Sequence, residues 1–311
     1  MMNRRIAALL VLLGLVVGGC ARQEPPLLFH AGAGQRSSLD EIGALFEKRH
    51  PGTRVNFAYK GSGYFLPDLV RSREGDLYMP GEEFYFLQAR DRGFIGDYDP
   101  ATDVPAHFVT VLITPKGNPA GIRRLEDLAR PGVRVGLGNP KSCAVGVWQE
   151  KTLRRAGILE AVLANACMSA KCIPELGNAI QHRGIDATVV WSSTAALYLR
   201  DVEIIPLEPR YRGVIRLPVG VLTVSRDPAR ARLLKDLILS PEGREIFERH
   251  AYAVDPGPVD EEGFCTGPGP TDLLMQRLVE AVRVTQDPTL EVDEKTLGPL
   301  VGEVLRQRAS K

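Results

Sequence analysis

The stretch from Pro26 to Phe46, PLLFHAGAGQRSSLDEIGALF, limits the possible folds more than any other part of the chain. An apolar run, Leu27-Leu28-Phe29, ends in His30-Ala31-Gly32-Ala33-Gly34, and directly after it Leu39, Ile42, Leu45 and Phe46 fall on one helical face. Ser38 and Glu41 have the spacing of a capping box at the start of that helix. A buried strand, a turn of small residues and a helix form one unit, and the unit returns. Arg54 to Tyr59 alternates like a strand, Gly61-Ser62-Gly63 turns, and Leu66, Leu69 and Val70 suggest a second helix before a short strand at Leu77-Tyr78-Met79. This β-α-β-α-β order calls for a mainly parallel sheet with helices on its faces.

The same design fills the middle of the chain. HFVTVLIT, residues 107–114, is a long strand candidate, followed by a short helix over Arg124 to Ala129 and a strand over Val133 to Leu137. The turn Gly138-Asn139-Pro140-Lys141-Ser142 leads into a helix from Cys143 to Ala156, which Gly157 stops. A helix over Pro174 to Arg183 and a buried strand over Ala187 to Trp191 follow, and Ser192-Ser193-Thr194 opens helical spacing over Ala195 to Leu199. IRLPVGVLTVS, residues 215–225, matches HFVTVLIT in length and apolar content, and helices over Ala229 to Leu239 and Pro241 to His250 come after it. Two α/β lobes joined by two crossing strands explain the layout: one lobe of residues 27–110 with 218–253, the other of residues 111–217. A single continuous doubly wound sheet is the competing arrangement. Past Tyr252 the composition shifts. Proline–glycine pairs flank a loop containing Cys265, then Leu273, Leu274, Leu278 and Val282 fit an amphipathic helix and Lys295 to Gln307 a further one. Residues 254–311 thus read as a helical extension that packs on a lobe or offers a partner surface.

Composition matters at two points. The first is export. Arg4-Arg5, the apolar run Ile6 to Val17, and Gly18-Gly19-Cys20 have the order of a signal peptide over residues 1–19, with an apolar core too short for a confident spanning helix. Val17-Gly18-Gly19-Cys20 resembles a bacterial lipobox. That implies cleavage before Cys20, lipidation of its thiol, residues 20–26 as a tether, and an extracytoplasmic location anchored to the lipid membrane at the periplasm or cell surface. An ordinary signal peptide is the alternative. Four further cysteines, Cys143, Cys167, Cys172 and Cys265, are free to pair in an exported protein, in any of three pairings, and Cys167 with Cys172 would close a small loop. The second is charge: a formal net charge of +1 gives no sign of a nucleic-acid partner or of a strongly charged membrane face.

Ligands in open α/β sheets bind beyond the carboxyl ends of the strands. Four turns sit at such ends and lead into helices: Gly32 to Ser38, Gly61-Ser62-Gly63, Ser142-Cys143-Ala144 and Ser192-Ser193-Thr194. Each offers unpaired backbone N–H groups at the positive end of a helix dipole, and serine hydroxyls add neutral donors. Such ends bind anions without a cationic side chain. Converging in a cleft between two lobes, they suit a small tetrahedral oxyanion. Any one of them is also an ordinary helix cap, so the weight falls on their recurrence. Signs of catalysis are missing: no Gly-x-Ser-x-Gly elbow, no His-Glu-x-x-His and no Walker loop occurs. Histidines 30, 50, 107, 182 and 250 are scattered; His30 lies beside the first turn and reads as structural. Glu82-Glu83 reads as a solvated pair. No catalytic residue and no cofactor are assigned.

These residues resemble those of the molybdate- and tungstate-binding proteins that serve ABC importers. Phe29-His30-Ala31-Gly32-Ala33 is similar to that family's F-H-A-G-S opening, Lys60-Gly61-Ser62-Gly63 to its second serine loop, and Gly75-Asp76-Leu77-Tyr78 to its A-D-V/L strand. Gly138 to Gly146 resembles its G-D/N-P-x-x-x-P-x-G loop, and Val189-Val190-Trp191-Ser192-Ser193 its hydrophobic-Y-x-S/T-D segment. The resemblance implies a two-lobed periplasmic-binding-protein fold of type II, a lobe-closing receptor rather than an enzyme, an ABC permease as partner, and a monomer. Carried over, Ser62 donates its hydroxyl and N–H to the oxyanion, Cys143 its N–H, and Trp191 stands where the family often has tyrosine. The family's first-loop serine falls at Ala33 or Gly34, with Gln35, Ser37 or Ser38 as substitutes, or backbone N–H groups alone. Gly63, Ser142 and Ser192 complete the expected site. One alternative keeps the fold and binds a thiophilic metal or metalloid through Cys143, Cys167 and Cys172; another is an anchored sensory or interaction module using the tail from Phe264 to Lys311.

Overall fold

The computed structural model describes residues 24–287 and 302–303; Cys20 and most of the helix expected over residues 295–307 lie outside the described residues. β1 (Leu27–Gly32) runs straight into a 3₁₀ turn at Ala33–Gln35 and then α1 (Arg36–Arg49). Leu27, Phe29, Leu39, Ile42 and Phe46 are fully buried between this strand and helix, each worth roughly 1.5–3 kcal/mol when removed from water. The expected capping box does not form. Gln35 holds the N-cap position, and the Ser38 hydroxyl donates to the Gln35 carbonyl at 3.0 Å instead.

β2 (Val55–Lys60), a 3₁₀ turn at Ser62–Tyr64, α2 (Phe65–Ser72), β3 (Leu77–Met79) and α3 (Glu83–Asp91) continue the first lobe. β1 lies between β2 and β3, parallel to both, with Phe29 opposite Phe57 and Leu77. The chain leaves through β4 (His107–Pro115), whose first half pairs with β9 (Val214–Arg216) and whose second half enters the other sheet.

The second lobe contains β5 (Val135–Gly138), α4 (Ala144–Arg155), α5 (Leu159–Asn165), β6 (Ala166–Ala170), α6 (Ile173–Gln181), β7 (Thr188–Trp191), the short α7 (Ser192–Ala195) and β8 (Val202–Ile205). Its strands lie in the order β6-β5-β7-β4-β8, the β5–β7 junction being a single bridge between Val135 and Ala187. The return run expected as one long strand over Ile215 to Ser225 is broken. β9 ends at Arg216, and β10 (Gly220–Val221) pairs antiparallel with β3. Pro218 lies between them and has no N–H to donate to a ladder. α8 (Pro228–Leu239) and α9 (Pro241–Arg249), capped by Asp227 and Ser240, close the first lobe.

The extension is built into the second lobe. Phe264 bridges Gly213, Arg155 pairs with Asp260 at 2.7 Å and with Glu262 at 2.9 Å, and Phe264 packs on Trp148. α10 (Pro270–Gln286) lies against β8, and the Gln286 amide donates to the carbonyls of Leu199 and Val202, both at 2.8 Å. The buried Arg212 ties the two parts together through Asp272, Thr271 and the Leu207 carbonyl. Cys143, Cys167, Cys172 and Cys265 are all free thiols, so none of the three disulfide pairings is present.

Candidate ligand-binding cleft

Between the lobes is a small, partly open cleft of about 20 Å³. Gly32, Ala33, Gly34, Lys60, Gly61, Ser62 and Gly81 line it on one side, and Cys143, Ala144, Val145, Cys172, Ile173 and Trp191 on the other, with Phe108 of β4 between. One water needs about 10–15 Å³ on this measure, so the space suits one compact ion rather than a sugar or an amino acid. Four helix starts face it: the two 3₁₀ turns of the first lobe and the N-termini of α4 and α6 in the second. Their first N–H groups have no acceptor within the helix.

Ser62 is the best-placed side chain. Its buried Oγ accepts the Gly81 N–H at 2.9 Å, which leaves its own hydrogen to donate to a ligand. Lys60 is the one cationic side chain on the lining, and its ammonium is paired with Asp68 at 2.5 Å. Its partner's carboxyl is held below the usual range, first by that hydrogen bond. The lining therefore has no unpaired cation; its polar groups are backbone dipoles, the Ser62 hydroxyl and the thiols of Cys143 and Cys172.

The lobes meet at glycines. A Cβ on Gly61 would stand 2.5 Å from the Ser142 carbonyl oxygen, and one on Gly63 would stand 2.2 Å from that of Lys141. The Gly63 N–H donates across the cleft to the Ser142 carbonyl at 3.3 Å, and the Tyr85 hydroxyl to that of Pro140 at 3.2 Å. Behind the cavity Trp191 stacks on Phe108 (4.9 Å, 6°) and Phe108 on Tyr252 (5.1 Å, 25°). The Tyr252 hydroxyl donates to the Gly34 carbonyl at 3.0 Å and fixes the first loop.

Among the ten residues expected at the site, Ala33, Gly34, Ser62, Cys143 and Trp191 line the cavity. Ser37, Ser38, Gly63, Ser142 and Ser192 stand outside the lining. Ser38 is spent on Gln35 and on the Tyr252 hydroxyl, and Ser192 donates to the Ala251 carbonyl at 2.6 Å. The Cys143 N–H, expected as a ligand donor, goes to the Asn139 carbonyl at 2.8 Å, so the free donors at α4 begin at Ala144. Of the two positions where the resemblance puts a first-loop serine, Ala33 and Gly34, the second is crowded. A Cβ at position 34 would already sit 3.3 Å from Trp191 and Ile173 and 3.4 Å from Phe108. Trp191, Ile173 and Phe108 together leave little room for a side chain at position 34.

Sequence reading missed Lys60, Gly81, Phe108, Ile173 and Tyr252. Lys60 stood at the head of the second serine loop and Gly81 just past β3, so these two carried a signal. Glu82 also differs from its reading as solvated: it is buried, caps α3 by accepting the Phe84 N–H at 2.9 Å, and burial pushes its carboxyl up to about 7. His30 bonds the Glu74 carbonyl at 2.9 Å and packs against Phe65, a structural place. Cys167 lies on β6 with its thiol toward the Val135 carbonyl, off the cavity, and no cluster of three metal-binding side chains assembles among the described residues.

Two α/β lobes that close helix N-termini over one small neutral cavity define a two-lobed, type II-like receptor for a small solute. The profile of the bacterial extracellular solute-binding proteins matches residues 27–253, and the chain belongs to that family. It is similar to the molybdate-binding protein ModA of Mycobacterium tuberculosis, with 25% identity over 231 residues, 73% of this chain and 84% of the relative. The solved molybdate-binding protein of Azotobacter vinelandii superposes with a TM-score of 0.63 at 16% identity, over 73% of this chain and 98% of its own. The sulfate-binding protein SubI of Mycobacterium tuberculosis gives 0.66 at 17% identity, over 75% and 88%.

Proposed function

We propose that the protein is the extracytoplasmic receptor of an ABC importer, that it carries a small tetrahedral oxyanion of the molybdate, tungstate or sulfate class, and that Cys20 anchors it to the membrane by a lipid. It does no covalent chemistry on that solute. The observation that supports the ligand class best is the convergence of four helix starts and the Ser62 hydroxyl on one cavity with no unpaired cation. Helix N-termini and neutral donors hold a dianion by oriented dipoles, and the inter-lobe contacts of Gly61, Gly63 and Tyr85 close the cleft over it. The homologues named for molybdate and sulfate agree with this reading.

Calorimetry and thermal melts with molybdate, tungstate and sulfate test the ligand. Silence toward all three at millimolar concentration would remove the oxyanion. The anchor has its own test: Cys20→Ala should move the protein from the membrane fraction to the soluble one.

A further inference from the structure

Two side chains on the cavity wall do little for a hard oxyanion. Cys143 and Cys172 immediately precede α4 and α6, and both line the same cavity. The backbone brings their segments together: the carbonyl oxygens of Ser142 and Lys171, one residue ahead of each, lie 2.5 and 2.7 Å from a single point, the place of a Cβ on Gly61. Neither thiol is in a disulfide; Cys143 is buried, and Cys172 is half-buried with its thiol donating to the Glu175 carboxylate at 3.5 Å, so Cys172 is the more open to an entering solute. Burial pushes the Cys143 thiol up to about 12 and raises that of Cys172, which keeps both as S–H at neutral pH. Beside the two thiols the wall has a soft, apolar part made by Phe108, Trp191, Ile173 and Val145, and the charge of Lys60 is already taken by Asp68.

We propose that Cys143 and Cys172 form a dithiol site for a trivalent metalloid oxyacid, the class of arsenite and antimonite. Such an acid is uncharged at neutral pH, which fits a cavity with no free cation. The proposal rests on reading the cleft as the ligand site, and it does not require a molybdate-type ligand. Binding is a condensation in two steps. The Cys172 sulfur bonds the metalloid, one metalloid–oxygen bond breaks, and the thiol proton leaves with the departing hydroxide as water. Cys143 repeats the step and a second water leaves. No electron is transferred and no oxidant is needed. Cys167, off the cavity, takes no part.

The test is native mass spectrometry of the reduced protein with sodium arsenite, beside a molybdate titration of the same sample. One arsenic per chain, with the mass deficit of two waters, is expected. Apparent affinity should fall at least tenfold in Cys143→Ser and in Cys172→Ser and stay unchanged in Cys167→Ser. Two results overturn the dithiol site: no arsenic on the wild-type protein, or arsenic retained by the Cys143→Ser/Cys172→Ser double variant. The wild-type measurement holds even if a variant fails to fold. Molybdate binding without arsenite uptake sinks the dithiol and leaves the oxyanion reading standing; arsenite uptake with silence toward molybdate, tungstate and sulfate does the reverse.

Discussion

Ser62 serves two partners with one oxygen. Its lone pair holds the Gly81 N–H, which leaves its hydrogen available to a ligand in the cavity. Ser62→Ala removes a ligand donor and strands a buried N–H, each worth about 1–3 kcal/mol. A 10- to 100-fold loss of oxyanion affinity is expected by calorimetry, and an unchanged affinity would remove Ser62 from the site. Glu82 sets a second prediction. Its carboxyl rises from 4.5 to about 7 because burial disfavours the charge. The folded protein should therefore lose stability as pH rises from about 4.5 to about 7, where only the unfolded chain has lost the proton, and should level off above 7. The full swing is at most about 3 kcal/mol. Glu82→Gln should flatten that part of the profile, and parallel melting curves for both proteins from pH 5 to 7.5 would refute it. Ser62 was legible because a serine between glycines after a strand is a local pattern. Glu82 was not, because its cover comes from residues far along the chain.

At the scale of elements, the turn at Gly61–Gly63 is a docking edge as much as a ligand loop. Gly63→Ala would drive a methyl group into the Lys141 carbonyl of the facing lobe. Its own lobe should fold normally and the cleft should fail to close. The expected outcome is loss of ligand-induced stabilisation with the melting temperature of the free protein within a few degrees of wild type; retained ligand binding would argue that the lobes never close this far. β3 was read at its observed bounds, and the starts of α4, α8 and α9 to within a residue, since caps, glycines and prolines mark them. α3, α5, β6 and β8 were not read. β6 and β8 are short, and β6 is largely exposed, so neither shows a buried apolar run. The break at Pro218 was hidden because hydropathy counts proline's neighbours and ignores its missing N–H.

For the whole molecule, the two-lobed plan was legible from two apolar runs of matching length, but the place of the extension was not. Its amphipathic helix shows that one face is covered and cannot say by what. The structure answers with β8 and with Arg212, a buried guanidinium whose ion pair ties residues 271–272 to the strand region before β9. Arg212→Ala should cost about 1–3 kcal/mol, because it strands the buried groups that the guanidinium satisfied while water reaches the partly exposed Asp272, and lower the melting temperature while leaving ligand affinity near wild type; a melt unchanged within a degree would show that the extension is only loosely attached. The aromatic stack has one more consequence. The chain carries two tryptophans: Trp191 stacks on Phe108 at the cavity, and Trp148 packs against Phe264 of the extension. With Trp148→Phe, the remaining indole emission arises beside the bound solute. The protein then contains its own optical sensor, able to follow occupancy in a cuvette without an attached dye.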